Sequence, residues 1–282
     1  MYICSRVMIK TLFLSTGILS LMGPIDVTLF ASPIGWSVGV AVVALLYVAE
    51  KEWGDQNWLR FLESPLMACW LLGLTALWCI IGSTIPEWAQ FSTSWPFVVT
   101  MALLLTHLAL VIIHRMRQFA TRHDFAFLLT HLGLWIALFS GMAGAGDTKE
   151  LYAVVGRTQE TTSALNKEKE RMEPISHSLK LMDFKIETHA DNGSPVQYSA
   201  TIRIDGTDCP LAVNHPYPIS WDEDLYLMNY ETDSRVGEVS SCLLLLVCQP
   251  WKYVSLIGIL MLLAGTIWMM SARNRRRKEA RP

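Results

Sequence analysis

Two histidines stand where histidine is costly. His131 lies within Phe125 to Ala145 (FAFLLTHLGLWIALFSGMAGA), a run long enough to cross a bilayer, and His107 lies in the apolar stretch before it. An imidazole at that depth needs a partner, a water path or a metal. If the two stretches are antiparallel neighbours, each histidine is about six residues from the same inner end, roughly 9 Å deep at ~1.5 Å per residue. Two imidazoles at matched depth can ligate a haem iron together, or each can do so with a histidine of another subunit. The plainer role is a hydrogen bond to a backbone carbonyl or a Ser/Thr of a neighbouring helix. His131 is the stronger ligand candidate; His114, on nearly the same helix face as His107, and His123 lie closer to the surface.

The elements that must position these residues are hydrophobic. Of 282 residues, 52% are hydrophobic and 17% charged, which argues against a soluble enzyme. Six apolar stretches occur at roughly 9–23, 34–48, 65–85, 96–113, 125–145 and 253–270. The last four meet the ~20-residue requirement for a span, and the first two are short. The expected fold is therefore an α-helical transmembrane bundle of four to six spans, with one external β-rich domain between the last two.

Arginine and lysine set the orientation. Loops 24–33 and 86–95 contain neither, whereas Arg6, Lys10, Lys51, Arg60, Arg115, Arg117, Arg122 and the basic run Arg273 to Arg281 fall on the other side. This predicts both termini in the cytoplasm and residues 146–250 outside. The N-terminus reads as a retained anchor rather than a cleaved signal peptide, for want of a clean small-x-small site. The basic tail reads as a topology determinant and not as a nucleic-acid patch. Trp88, Trp95, Trp251 and Tyr253 are expected as interface anchors, and Gly133, Gly141, Gly144 and Gly146 as sites of close helix packing.

From Ser178 the pattern changes to alternation, with Tyr198, Ala200, Ile202 and Ile204 on one face. Strands are predicted at 178–188, 197–205, 209–214, 224–230 and 240–248, with turns at Asn192-Gly193 and Asp205-Gly206. Thr158 to Glu173 is expected as a mobile or loosely helical linker. Cys209, Cys242 and Cys248 allow one disulfide at most, Cys242 and Cys248 fit buried apolar thiols better than a bridge, and no C-x-x-C occurs. His215 reads as structural, and the domain holds no recognisable catalytic motif.

Several segments in order resemble the ResB-like (CcsB-type) proteins of cytochrome c biogenesis System II: GSTIPEW (82–88), HLGLWIALFSGMAGAG, LYAVVGRTQ, SLKLMDFKIETHADNGSPVQYSATIRIDG, VNHPYPISWDEDLYLMNY and QPWKYVSLIGILMLLAG. The resemblance covers about 65–272. The expected domains are 1–64 (N-terminal hydrophobic extension of one or two spans plus a cytoplasmic loop, outside the resemblance), 65–145 (three-span ResB-like core), 146–250 (external β-rich domain), 251–270 (last span) and 271–282 (basic cytoplasmic tail). The resemblance further implies a cytochrome c biogenesis factor in the bacterial inner membrane, not an enzyme in its own right. With a CcsA-type membrane partner, such a factor carries haem b outward and supports its delivery to apocytochrome c. His131 matches the family's haem-holding histidine, whereas His107 is inferred from depth alone. The Trp-rich haem-presenting signature of the partner is absent from this chain.

Two other classes use the same histidines differently. A b-type haem anchor would pass electrons between quinone and a periplasmic reductase, although it would leave the β domain without a role. A cofactor-free membrane scaffold would need neither histidine as a ligand.

Overall fold

In the computed structural model, residues 24–84, 91–119, 122–167, 169–188, 195–232 and 238–279 are described. The chain divides into two compact units, Met1–Gly146 with Tyr253–Pro282, and Asp147–Lys252.

The first unit is a helical membrane bundle. Its helices are α1 (Ile34–Trp53), the short α2 (Asn57–Leu62), α3 (Pro65–Thr84), α4 (Trp95–Arg117), α5 (Arg122–Gly144) and α6 (Lys252–Glu279). All but α2 are long and apolar enough to span a membrane. The stretch at 34–48, short by hydropathy, is therefore part of a full 20-residue helix that runs on through Glu50 and Lys51 to Trp53. The stretch at 9–23 lies outside the described residues.

Proline opens α3 as its first residue and α4 as its second, positions where a missing N–H costs nothing. Helix α4 is the central one: 61% of its apolar window is buried, against 11–17% for the other spans. Leu104 and Leu108 of α4 pack against Met67 and Leu71 of α3, joined by Leu134, Trp135 and Leu138 of α5. Trp135 fastens that contact by donating Nε1–H to the Leu105 carbonyl at 3.1 Å. Large apolar side chains on α1, α3 and α6, such as Leu45, Leu72 and Ile267, stay exposed, as a lipid-facing surface requires.

Helices α5 and α6 approach backbone to backbone. A Cβ on Gly133 would come within 2.5 Å of the Leu262 nitrogen, and one on Gly258 within 2.6 Å of the Ala137 nitrogen. The two Ser hydroxyls of Ser140 and Ser255 meet at 2.8 Å nearby. Gly133 thus serves packing as its sequence context predicts, and Gly146 lies against the Val27 carbonyl. Gly141 does not: nothing lies within 4 Å of the space its Cβ would occupy.

The second unit is an eight-stranded antiparallel sheet in the order β5-β4-β3-β2-β1-β8-β7-β6. Its strands are β1 (Lys149–Gly156), β2 (Thr161–Asn166), β3 (Arg171–Thr188), β4 (Pro195–Ile204), β5 (Thr207–Ala212), β6 (Tyr217–Pro218), β7 (Glu223–Thr232) and β8 (Val239–Cys248). Alternate residues build the core, including Val155, Leu179, Ile202, Leu225 and Leu244, each fully buried. Ala200, Ile202 and Ile204 point inward together, with Tyr198 packed beside them. The turn Asp205-Gly206 joins β4 to β5, both residues having positive φ (48° and 88°), so Ile204 pairs with Thr207 in a two-residue hairpin. Asn192-Gly193 lies outside the described residues.

The predicted linker is a strand pair instead. Residues Thr161–Asn166 form β2, and β3 already begins at Arg171. The segment's polarity is misleading because its outward face is polar, while Ala164 and Asn166 are buried. A half-buried strand needs few large apolar residues when its neighbours supply them. Trp251 also departs from its expected place as an interface anchor: it is buried, and its Nε1 donates to Asp147 Oδ2 at 2.6 Å.

Candidate functional site

His107 is buried at 5% exposure, and its Nδ1 lies 2.5 Å from the backbone carbonyl of Leu62. Leu62 is the last residue of α2, a helix held by fully buried Leu59. The carbonyls in a helix's final turn lack partners from their own helix, and His107 supplies a donor to this one. A carbonyl can only accept, so Nδ1 carries the proton, and in the neutral ring Nε2 keeps its lone pair.

His131 arrives at the same state by a different route. Its Nδ1 lies 2.9 Å from the Phe127 carbonyl one turn back on α5, and its ring stacks on Phe127 at 3.8 Å between centroids. Here too Nδ1–H is the donor and Nε2 the nitrogen left with a lone pair. A histidine that ligates a metal through one nitrogen while the other donates to a carbonyl has its tautomer and ring orientation fixed. Both rings meet that requirement for iron at Nε2.

The two histidines sit on packed helices. Measured along the helices, His107 is ten residues before the end of α4 and His131 nine after the start of α5. Both therefore lie further from these helix ends than the apolar stretches suggest, at roughly 15 and 14 Å. The difference arises because both helices continue beyond the apolar runs through polar residues, among them Arg115 and Asp124, which pair with each other.

His114 forms part of a separate cluster with Glu50 and Glu63. Neither acid was singled out by motif or spacing. The signal for Glu50 was its position at the end of an apolar helix, where a carboxylate needs a partner. His215 is exposed in the turn between β5 and β6, bridged to Ala212, and takes no part in a cluster among the described residues.

In the second unit, His177 joins two acids: Nδ1 lies 2.6 Å from Asp205 Oδ2 and Nε2 3.0 Å from Glu223 Oε2. The hydrogen bond it donates to Asp205 is the main influence raising its pKa, aided by Glu223 against partial burial. With both nitrogens donating, this ring is a strand-to-strand clamp and has no lone pair to offer. Cys209, Cys242 and Cys248 are free thiols. Burial pushes the Cys242 thiol up to about 12; burial, with Glu223 beside it, does the same for Cys248.

Comparison with known proteins places this geometry in context. No curated protein matches the chain. A solved structure titled cytochrome c haem lyase CcmF aligns at 13% identity with a TM-score of 0.39, over 71% of this chain and 33% of that one. The chain thus spans about a third of the length of that structure. Residues 121–245, which include His131 and leave out His107, match the model of the ResB-like family. From the start of α5 into β8, this chain is similar to the ResB-like family.

Proposed function

We propose that this membrane protein is a cytochrome c biogenesis factor of the System II type, which carries haem b across the bacterial inner membrane with a CcsA-type partner. Haem is its cargo and apocytochrome c the eventual acceptor. His131 is the first axial ligand through Nε2; the second is His107 or a histidine of the partner. In this reading residues 146–250 are periplasmic, where they dock the partner or receive the apocytochrome, and both termini are cytoplasmic. The protein transports and assembles, while bond formation to the cytochrome belongs to the partner.

One observation carries the reading: two intramembrane histidines on packed helices each donate Nδ1–H to a backbone carbonyl, which leaves Nε2 for iron. The family match, which takes in His131, supports it independently. The chain's own part is to hold the imidazoles in one tautomer, exclude water with the apolar faces of α4 and α5, and leave the iron's electronic properties to its axial ligands.

The test is a pyridine-haemochrome spectrum of the protein purified with and without its CcsA-type partner, for the native chain, His131→Ala and His107→Ala. Haem b in the complex, lost in His131→Ala, supports transport. Unchanged haem content in both variants refutes these ligands. Reversible reduction of bound haem by quinol in the isolated protein would identify an electron-transfer anchor instead.

A further inference from the structure

Glu50 lies in the last turn of α1, Glu63 caps the C-terminus of α2, and His114 lies in the last turn of α4, so three helix ends deliver two carboxylates and an imidazole to one place. One potential ligand atom from each lies within 4.8 Å of the other two. The Glu50 side chain is 2% exposed and that of Glu63 10%. His114 Nδ1 is 2.8 Å from Glu50 Oε1 and 3.4 Å from Glu63 Oε2.

The remaining oxygens face no donor group, and a proton shared between the two carboxyls is the one bond open to them. Glu50 Oε2 and Glu63 Oε1 are both buried without a hydrogen-bond partner, a condition that costs several kcal/mol for a carboxylate unless a positive charge is supplied. Nearby cations do not supply it fully. Arg117 places Nη1 2.7 Å from the Glu50 backbone carbonyl and 3.4 Å from Oε1. Arg60 is paired with Asp55 at 2.8 Å.

We propose that Glu50, Glu63 and His114 form a binding site for a first-row divalent transition-metal ion, separate from the haem-holding histidines. One nitrogen and two carboxylate ligands suit zinc, manganese or iron(II) better than calcium or magnesium, which prefer oxygen alone. Ligand atoms around a tetrahedral ion at ~2.1 Å stand roughly 3.4 Å apart, so side-chain rotation would close the observed spacing without helix movement. His114 and Glu50 line a cavity of about 270 Å³, giving the ion a route in and room for a water ligand. Gln118, whose amide lies 3.0 Å from His114 Nε2, holds the ring from its far side. Binding through His114 Nδ1 takes the neutral ring with its one proton on Nε2, which donates to the Gln118 side-chain oxygen once that amide turns over, and releases to solvent any proton held by the carboxyl pair, with no change of oxidation state.

The test uses the full chain in detergent, freed of metal with a chelator and titrated with Zn²⁺ at pH 7.5. Elemental analysis counts zinc separately from iron, and Co²⁺ substitution gives a visible spectrum sensitive to nitrogen and oxygen ligands. The expected result is one saturable ion per chain, with affinity lowered about tenfold or more in Glu63→Gln and Glu50→Gln and unchanged in His131→Ala. Glu63→Gln, at the less buried carboxylate, decides the matter if Glu50→Gln does not fold. No saturable binding to the folded native chain, meaning a carboxyl pair that only shares a proton, overturns the proposal. So does binding that Glu63→Gln leaves intact in a folded, monodisperse protein.

Discussion

His107 Nδ1 donates to the Leu62 carbonyl at 2.5 Å across 45 residues of sequence, tying the middle of α4 to the end of a two-turn helix. The bond gives His107 a structural duty that His131 lacks, since His131 bonds a carbonyl that its own helix already uses.

This difference separates the two histidines in mutagenesis. His107→Ala leaves a part-buried carbonyl without its donor and should destabilise the helical unit by about 1–2 kcal/mol. His131→Ala should cost less stability while abolishing haem retention. Thermal unfolding in detergent, followed beside haem content, checks both, and equal destabilisation by the two would contradict the assigned duties.

Close packing of α5 on α6 depends on glycine at only some positions. Gly258→Val places side-chain atoms against the Ala137 backbone, which cannot rotate away, and should cost about 3 kcal/mol or more. Gly141→Ala meets open space and should be neutral or stabilising by up to ~1 kcal/mol through helix propensity. Yield of monodisperse protein and its thermal midpoint distinguish the pair.

The clamp at His177 makes the β unit sensitive to pH. Because Asp205, then Glu223, raise the folded His177 pKa above its ordinary 6.5, its stabilisation is fully present below that ordinary value and is lost as pH rises through the raised one. Asp205 is shifted down, chiefly by the His177 hydrogen bond, so its contribution is present above the ordinary carboxylate range and is lost on acidification through its lowered folded value. Amide exchange of β3, β4 and β7 should therefore quicken, beyond its intrinsic rise, as pH passes above neutrality. His177→Gln should flatten that extra dependence; an unchanged profile would remove the clamp from the account.

Thiol chemistry offers a further check. Cys242 is buried at 1% exposure, and its thiol and that of Cys248 are both pushed up to about 12, so little thiolate forms at pH 8. Both should resist iodoacetamide in the native protein and react after denaturation, as mass spectrometry of the peptides will show. Rapid native alkylation of Cys242 would mean that β8 opens readily.

Much of this architecture was legible in local patterns. Hydropathy located α3 to α6 because a bilayer demands long uninterrupted apolar runs. The alternation from Tyr198 to Ile204 and the Asp205-Gly206 turn marked β4 and its hairpin, because side-chain period and positive φ are properties of a few adjacent residues. The intramembrane placement of His107 and His131 followed from the same runs.

What depended on distant chain segments was not legible. The polar β2 takes its core from neighbouring strands, so its own composition pointed to a linker. Trp251 and Asp147 find each other across 104 residues, and no local pattern announces that bond. Glu50, Glu63 and His114 belong to three helices, and only their packing brings two buried carboxylates to one imidazole. Periodicity records which face of an element is apolar; tertiary structure alone decides which polar groups those faces bring together.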